Sequence, residues 1–183
     1  MYINGNEQRS TNLTPYGQNR HNLNDGTFDQ HNGEYQGGFS VIDDGLRVLL
    51  LGNTWQAFEL LNAYPVTANT RLEFTYNIHE EAEGHLICAD NDLNEDTFGG
   101  SQIRCIAVGG TQFNSMHHVY KPTSQKAELF TPQTVEVSIG ELFPAKGSFI
   151  KYIALIQDND ASPSVGWSEF RDLRLYDTIV SSF

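Results

Sequence analysis

Long apolar runs are missing from this sequence. Stretches such as Val48 to Leu51 fall far short of the roughly 20 residues that span a bilayer as a helix. Cysteine is scarce. Cys88 and Cys105 alone are too few for a disulfide-dense scaffold and lack the clustered spacing of a zinc site. Basic residues are few: 11 Lys and Arg stand against 23 Asp and Glu, a net charge of −12. Such a surface repels phosphate backbones and anionic lipid, which excludes nucleic acid and membrane as partners and suits neutral ligands or cations. No basic segment followed by an apolar stretch opens the chain, so no signal peptide is legible. No window sustains apolar residues at helical spacing over three turns, which excludes a long helix.

What remains is a β pattern. Leu72, Phe74, Tyr76 and Ile78 alternate with Arg71, Glu73, Thr75 and Asn77, the period-two signature of a strand with one wet face. Val135, Val137 and Ile139 alternate with Glu136 and Ser138 in the same way. Val48–Leu51 lies between Gly45 and Gly52 and reads as a buried strand. Tyr152–Ile156 and Phe170–Tyr176 supply two more. The six prolines, at 15, 65, 122, 132, 144 and 163, fall between these runs, as expected of residues that remove a ladder donor. At 183 residues the chain suffices for one two-layer domain, and many short strands parted by turn signals predict an all-β sandwich or barrel. Residues 1–38 differ in composition, with seven Asn, four Gln and few aliphatics. We place a polar leader at 1–34, partly docked on the body, and the sandwich domain at 35–183.

Six segments, in order, resemble a domain of secreted bacterial polysaccharide-degrading proteins. They are Gly52-Asn53-Thr54-Trp55, Thr67-Ala68-Asn69-Thr70-Arg71-Leu72-Glu73-Phe74, Ala89-Asp90-Asn91-Asp92, Gly109-Gly110-Thr111-Gln112, Gln157-Asp158-Asn159-Asp160 and Phe170-Arg171-Asp172-Leu173. The resemblance implies a jelly-roll β-sandwich of two antiparallel sheets, similar to carbohydrate-binding modules and commonly holding calcium. It further implies a module tethered to a larger, secreted, extracellular protein. Gly109 stands where that pattern usually has an aromatic, and Phe113 interrupts its Gln-x-Trp region, so a sugar platform there would be altered.

Oxygen-rich turns carry the calcium reading. Asp90-Asn91-Asp92 and Asp158-Asn159-Asp160 each follow an apolar strand, and calcium takes six to eight hard oxygen ligands. The alternative is a plain turn whose side chains bond nearby amides. The segment Leu23–Asp29 resembles the opening of xylan-type binding modules, which implies a second calcium site from Asp29 and Asp172. Alternatively, Asp172 is a solvated acid flanked by arginines.

Pyranose recognition needs aromatic faces against C–H groups and polar side chains around the rim. Trp167 follows a Ser/Pro/Gly loop and is the leading candidate. His117, His118 and Tyr120 form a ligand-like surface segment, and Phe113 and Tyr64 complete the set. Trp55 lies among Leu51, Phe58 and Leu60 and is as readily core. Cys88 and Cys105 read as structural, either bonded in an oxidising compartment or as buried thiols.

The expected function is non-catalytic polysaccharide binding. The alternatives are a small jelly-roll lyase or hydrolase built on His85, His117, His118, Tyr120 and Arg104, and a structural or adhesive domain. Glycosidase-like carboxylate pairs, a Gly-x-Ser-x-Gly elbow and a His-Glu-x-x-His helix are all missing from the sequence.

Overall fold

The computed structural model describes residues 8–9, 14–16, 37–43, 47–91, 105–117, 119–123, 125–142, 149–159 and 166–178. Eleven strands and one short helix follow in chain order. They are β1 (Gln8–Arg9), β2 (Thr14–Tyr16), β3 (Gly38–Ile42), β4 (Arg47–Leu51), β5 (Thr54–Pro65), β6 (Thr70–Glu80), β7 (Gly84–Asp90), β8 (Cys105–Gly109), β9 (Gln133–Val137), α1 (Ile139–Leu142), β10 (Phe149–Asp158) and β11 (Trp167–Asp177). One sheet runs β3-β4-β11-β6-β9, with β1 also pairing β11; the other runs β2-β5-β10-β7-β8. Every strand pair is antiparallel. From β4 to β7 and again from β8 to β11, each connection crosses from one sheet to the other. That is the jelly-roll β-sandwich the sequence motifs implied.

The period-two rule explains where the core sits. Ile87 and Ala89, Ile106 and Val108, Ile153 and Leu155 join Phe74, Tyr76, Ile78 and Phe170 of the opposing sheet in one buried cluster. Their neighbours Leu86 and Cys88, Cys105 and Ala107, Ala154 and Ile156 point the other way. With Trp55 and Ala57 they form a second cluster on the outside of the β5-β10-β7-β8 sheet. Phe113, Met116, Val119 and Tyr152 pack over that outer face. This sheet is therefore buried on both sides, and its strands read as unbroken apolar runs. The other sheet carries polar, mostly half-buried or exposed side chains on its outer face among the described residues, so β6 and β9 alternate in sequence.

Two expectations need correction. Pro65 closes β5 and Pro15 lies within β2, rather than between strands. Both are tolerated because β2 is an edge strand and Pro65 is a strand terminus. Ile139 does not extend β9; it begins α1, where the Glu141 and Leu142 N–H groups donate to Ser138 O at 3.1 and 3.3 Å. Gly140 permits the turn, since a Cβ there would meet Thr67 O at 1.9 Å.

Of the alternatives for the cysteines, the bond is the one observed. Cys88 and Cys105 lie opposite each other on β7 and β8 and form a disulfide across a sequence separation of 17. Both belong to the outer cluster. Closing a loop of this length stabilises by about 3 kcal/mol. We expect the Cys88→Ala/Cys105→Ala variant to lose about that much in urea denaturation while keeping its β circular dichroism. An unchanged midpoint would show that the bond contributes nothing.

Candidate functional site

Among the described residues, the exposed large apolar side chains are Leu51, Leu129, Phe130, Phe149 and Trp167. Four of these five gather at one end of the open sheet. Strand register puts them there. Trp167, first residue of β11, pairs with Leu51 at the end of β4 on one side and with Glu80 at the end of β6 on the other. A register shift between Trp167 and Ser168 sets both His79 and Glu80 against Trp167. Beyond β6, Leu129 bridges to Ile78, and Phe130 N–H donates to Ile78 O at 2.8 Å.

The rings meet directly. His79 stacks on Trp167 with centroids 4.1 Å apart and planes 17° from parallel. Phe130 meets His79 in an edge-on arrangement at 5.9 Å. Asn77 Nδ2 lies 3.1 Å from His79 Nε2, a hydrogen bond that requires the ring proton on Nδ1. Trp167 is 39% exposed and Phe130 68%. Phe130 also has φ 59°, a left-handed conformation that costs a bulky residue of the order of 1–3 kcal/mol and concentrates at functional sites. A strained, exposed aromatic beside a stacked pair forms an apolar platform in water.

A buried polar knot fixes that platform from below. Gln157, on β10 of the opposite sheet, is fully buried. Its Nε2 donates to Gly52 O at 2.7 Å and to Gly166 O at 2.8 Å, and its Oε1 accepts from Ser168 Oγ at 2.8 Å. Gly52 N–H donates to Gly166 O at 3.0 Å, and Asn159 N–H to Asn53 Oδ1 at 3.1 Å. Gly166 has φ +126°, and a Cβ there would stand 3.0 Å from both Ala82 Cβ and Gln157 Nε2. The residues before and after Trp167 are thus both tied down. Further along the outer face, Glu169 lies between Arg47 and Arg171, at 3.7 and 3.6 Å.

The expected ligand residues separate. Trp167 is in the platform. Tyr64 is 3% exposed and packs in the main core with its hydroxyl 3.5 Å from Asp177. Burial, and then that carboxylate, push its hydroxyl up to about 12. It offers no face to a ligand. Phe113 is 2% exposed and anchors residues 111–115 on the covered sheet, with Lys121 Nζ 5.2 Å from its ring centre. Tyr120 is half-buried and bonds alongside β8, its N–H to Cys105 O at 2.9 Å. His117 is exposed, and His118 lies outside the described residues. No hydrogen bond or ring contact joins Trp167 to His117 or Tyr120 among the described residues. The loss of an aromatic at position 109 has a steric reason, because a Cβ on Gly109 would meet Ile78 Cδ1 at 2.4 Å.

The carboxylates separate as well. Asp90 pairs with Tyr152, whereas Asp158 pairs with Gly84. The two turns therefore lie at opposite ends of β7 and β10, about 20 Å apart at 3.3 Å per residue. Asp90 is buried and its Oδ1 accepts from Asn91 N–H at 2.6 Å. Asp172 is exposed in a bulge of β11 with φ 54°. Asp29, Asp92 and Asp160 lie outside the described residues. Among the described residues no three His, Cys, Asp or Glu side chains come together as a metal centre.

His79 and Phe130 were not anticipated from sequence. A signal existed for His79, which continues the wet-face alternation of Arg71, Glu73, Thr75 and Asn77. For Phe130 the only hint was its place two residues before Pro132.

No protein-family model matches the sequence, and no curated protein does either. Solved structures similar to this chain include the family 11 carbohydrate-binding module of cellulosomal cellulase Lic26A-Cel5E of Clostridium thermocellum. It is 9% identical, with 100% of both chains covered and a TM-score of 0.49. A second was solved with a xylogluco-oligosaccharide; it is 15% identical, covers 79% of this chain and 36% of that one, and has a TM-score of 0.43. A third is the metal-free carbohydrate recognition domain of Emp46p, 16% identical over 92% of this chain and 100% of that one, with a TM-score of 0.42. Each is a likeness of chain path. The functional reading rests on the side chains.

One histidine at this end supports the fold rather than the chemistry. His85 is fully buried; its Nε2 accepts from Ala82 N–H at 3.1 Å and its Nδ1 has no partner. Burial pushes it down to about 3, so it stays neutral in the fold. Between that value and about 6.5 the unfolded chain carries the extra proton, so stability falls as pH drops through this window. His85→Gln should flatten the fall between pH 6.5 and 4.5, where the wild type loses up to about 2–3 kcal/mol from this group. Equal slopes of unfolding free energy against pH in the two proteins would refute the assignment.

Proposed function

We propose that this protein binds a polysaccharide without cleaving it, laying a sugar ring on the Trp167, His79 and Phe130 platform. The observation that carries the reading is the gathering of exposed Leu51, Leu129 and Phe130 around the stacked Trp167–His79 pair. Apolar patches of this kind, rimmed by polar groups, mark binding sites. Pyranose rings offer C–H faces to aromatics. Asn77, Glu169 and Arg171 belong to the same strands and supply hydrogen-bonding partners for a hydroxyl rim. The lyase alternative loses His85, which is buried and neutral. The buried disulfide supports placing the domain in an oxidising compartment, and the proposal includes its tethering to a larger secreted protein.

Trp167 and Trp55 are the two tryptophans, and Trp55 is buried. An indole fluorescence change on adding soluble oligosaccharide therefore reports Trp167. We expect Trp167→Ala to weaken that binding by about 1–3 kcal/mol, with a melting temperature close to wild type. Undiminished binding by Trp167→Ala would overturn the platform.

The same proposal includes calcium at the Asp158-Asn159-Asp160 turn. Support comes from the half-exposed Asp158, which adjoins Gln157 of the polar knot, and from the net charge of −12. An ion bound only by the folded state stabilises it by mass action, about 2.7 kcal/mol at a hundredfold excess over Kd. EDTA should lower the melting temperature by several degrees and calcium, added back, should restore it. A melting curve indifferent to both removes calcium from the proposal.

A further inference from the structure

The platform carries a carboxylate with no partner among the described residues. Three carboxylates near it have partners. Glu81 is ion-paired with Lys126 Nζ, Glu83 Oε1 accepts from Gln112 Nε2 at 2.7 Å, and Glu169 is held between Arg47 and Arg171. Glu80 is different. It is exposed, it stands opposite Trp167 in the ladder, and its side chain makes no ion pair or hydrogen bond among the described residues. Glu128, two residues before Phe130, is exposed as well.

An aromatic face next to an exposed carboxylate favours a cation. The ring quadrupole attracts an ammonium group, Trp most strongly, and the carboxylate adds a direct charge partner. The surrounding field has the same sign, since the chain carries −12, which concentrates cations at the surface. Resting on the polysaccharide reading above, we infer that the ligand is a polysaccharide bearing free amino groups, a deacetylated hexosamine polymer. Its sugar rings lie on the Trp167 platform and an ammonium group reaches Glu80. A neutral glucan would fill the platform and leave Glu80 without a role, and an N-acetylated polymer would present a neutral amide to it.

The test compares hexamers of glucosamine, N-acetylglucosamine and glucose by calorimetric titration of the full chain, with hexalysine as a charge-only probe. We expect the glucosamine hexamer to bind at least tenfold tighter than either neutral sugar, and that advantage to shrink as salt is raised. Glu80→Gln should erase the advantage while leaving binding of the neutral sugars unchanged. Glu141→Gln, on α1 at the far end of β6, should preserve it. Equal affinity for all three sugars, or a loss in Glu141→Gln matching that in Glu80→Gln, would overturn the amine assignment and leave the platform reading standing. Hexalysine binding as tightly as the glucosamine hexamer would overturn it too, in favour of a charge-only site. Failure of every sugar to bind would overturn both readings.

Discussion

The architecture of this domain turns on one buried side-chain amide. Gln157 belongs to one sheet, yet its three hydrogen bonds reach Gly52, Gly166 and Ser168, which lie at or beside the ends of β4 and β11 in the other. Burying a backbone carbonyl unpaired costs more than a typical bond contributes. Gln157 supplies a donor that forks to both carbonyls and an acceptor for the serine between the sheets. Loss of that amide would leave the Gly52 carbonyl and the Ser168 hydroxyl without these partners and take from Gly166 O one of its two donors, all in buried positions.

This arrangement explains why functional chemistry collects on one surface. The β5-β10-β7-β8 sheet spends its outer face on a second apolar cluster under residues 111–120, with the disulfide in it. The apolar side chains of that cluster offer no face to a ligand. The other sheet leaves its outer face to arginines, carboxylates, hydroxyls and the aromatic row. The knot fixes the end of that face, where β4, β11 and β6 bring Leu51, Trp167 and His79 side by side.

How much of this was legible depended on how local the determinant was. Period-two alternation marked β6 and most of β9, because one face of each is wet. The apolar runs of β10 were visible because both its faces are dry. Helix α1 was hidden, since Ile139 kept the strand rhythm while Gly140 admitted a close approach to Thr67 that only the tertiary fold creates. The site followed the same rule. Trp167 stood out through its loop, whereas the cysteines stayed open between a bond and buried thiols, because their pairing depends on the β7–β8 register. Tyr64 and Phe113 looked like ligand residues because aromatic type says nothing about which way a ring faces. The His79–Trp167–Phe130 row depends on cross-strand register and on a shift within it, a long-range property that composition does not encode.

The stacked pair has a thermodynamic consequence for any ligand. Side chains that must be immobilised on association each cost roughly 0.5–1.5 kcal/mol. Here the imidazole and indole rings are already parallel, 4.1 Å apart, with the backbone beneath the indole clamped on both sides. Their rotational freedom is surrendered during folding, so a partner that lands on them meets a surface with little disorder left to lose.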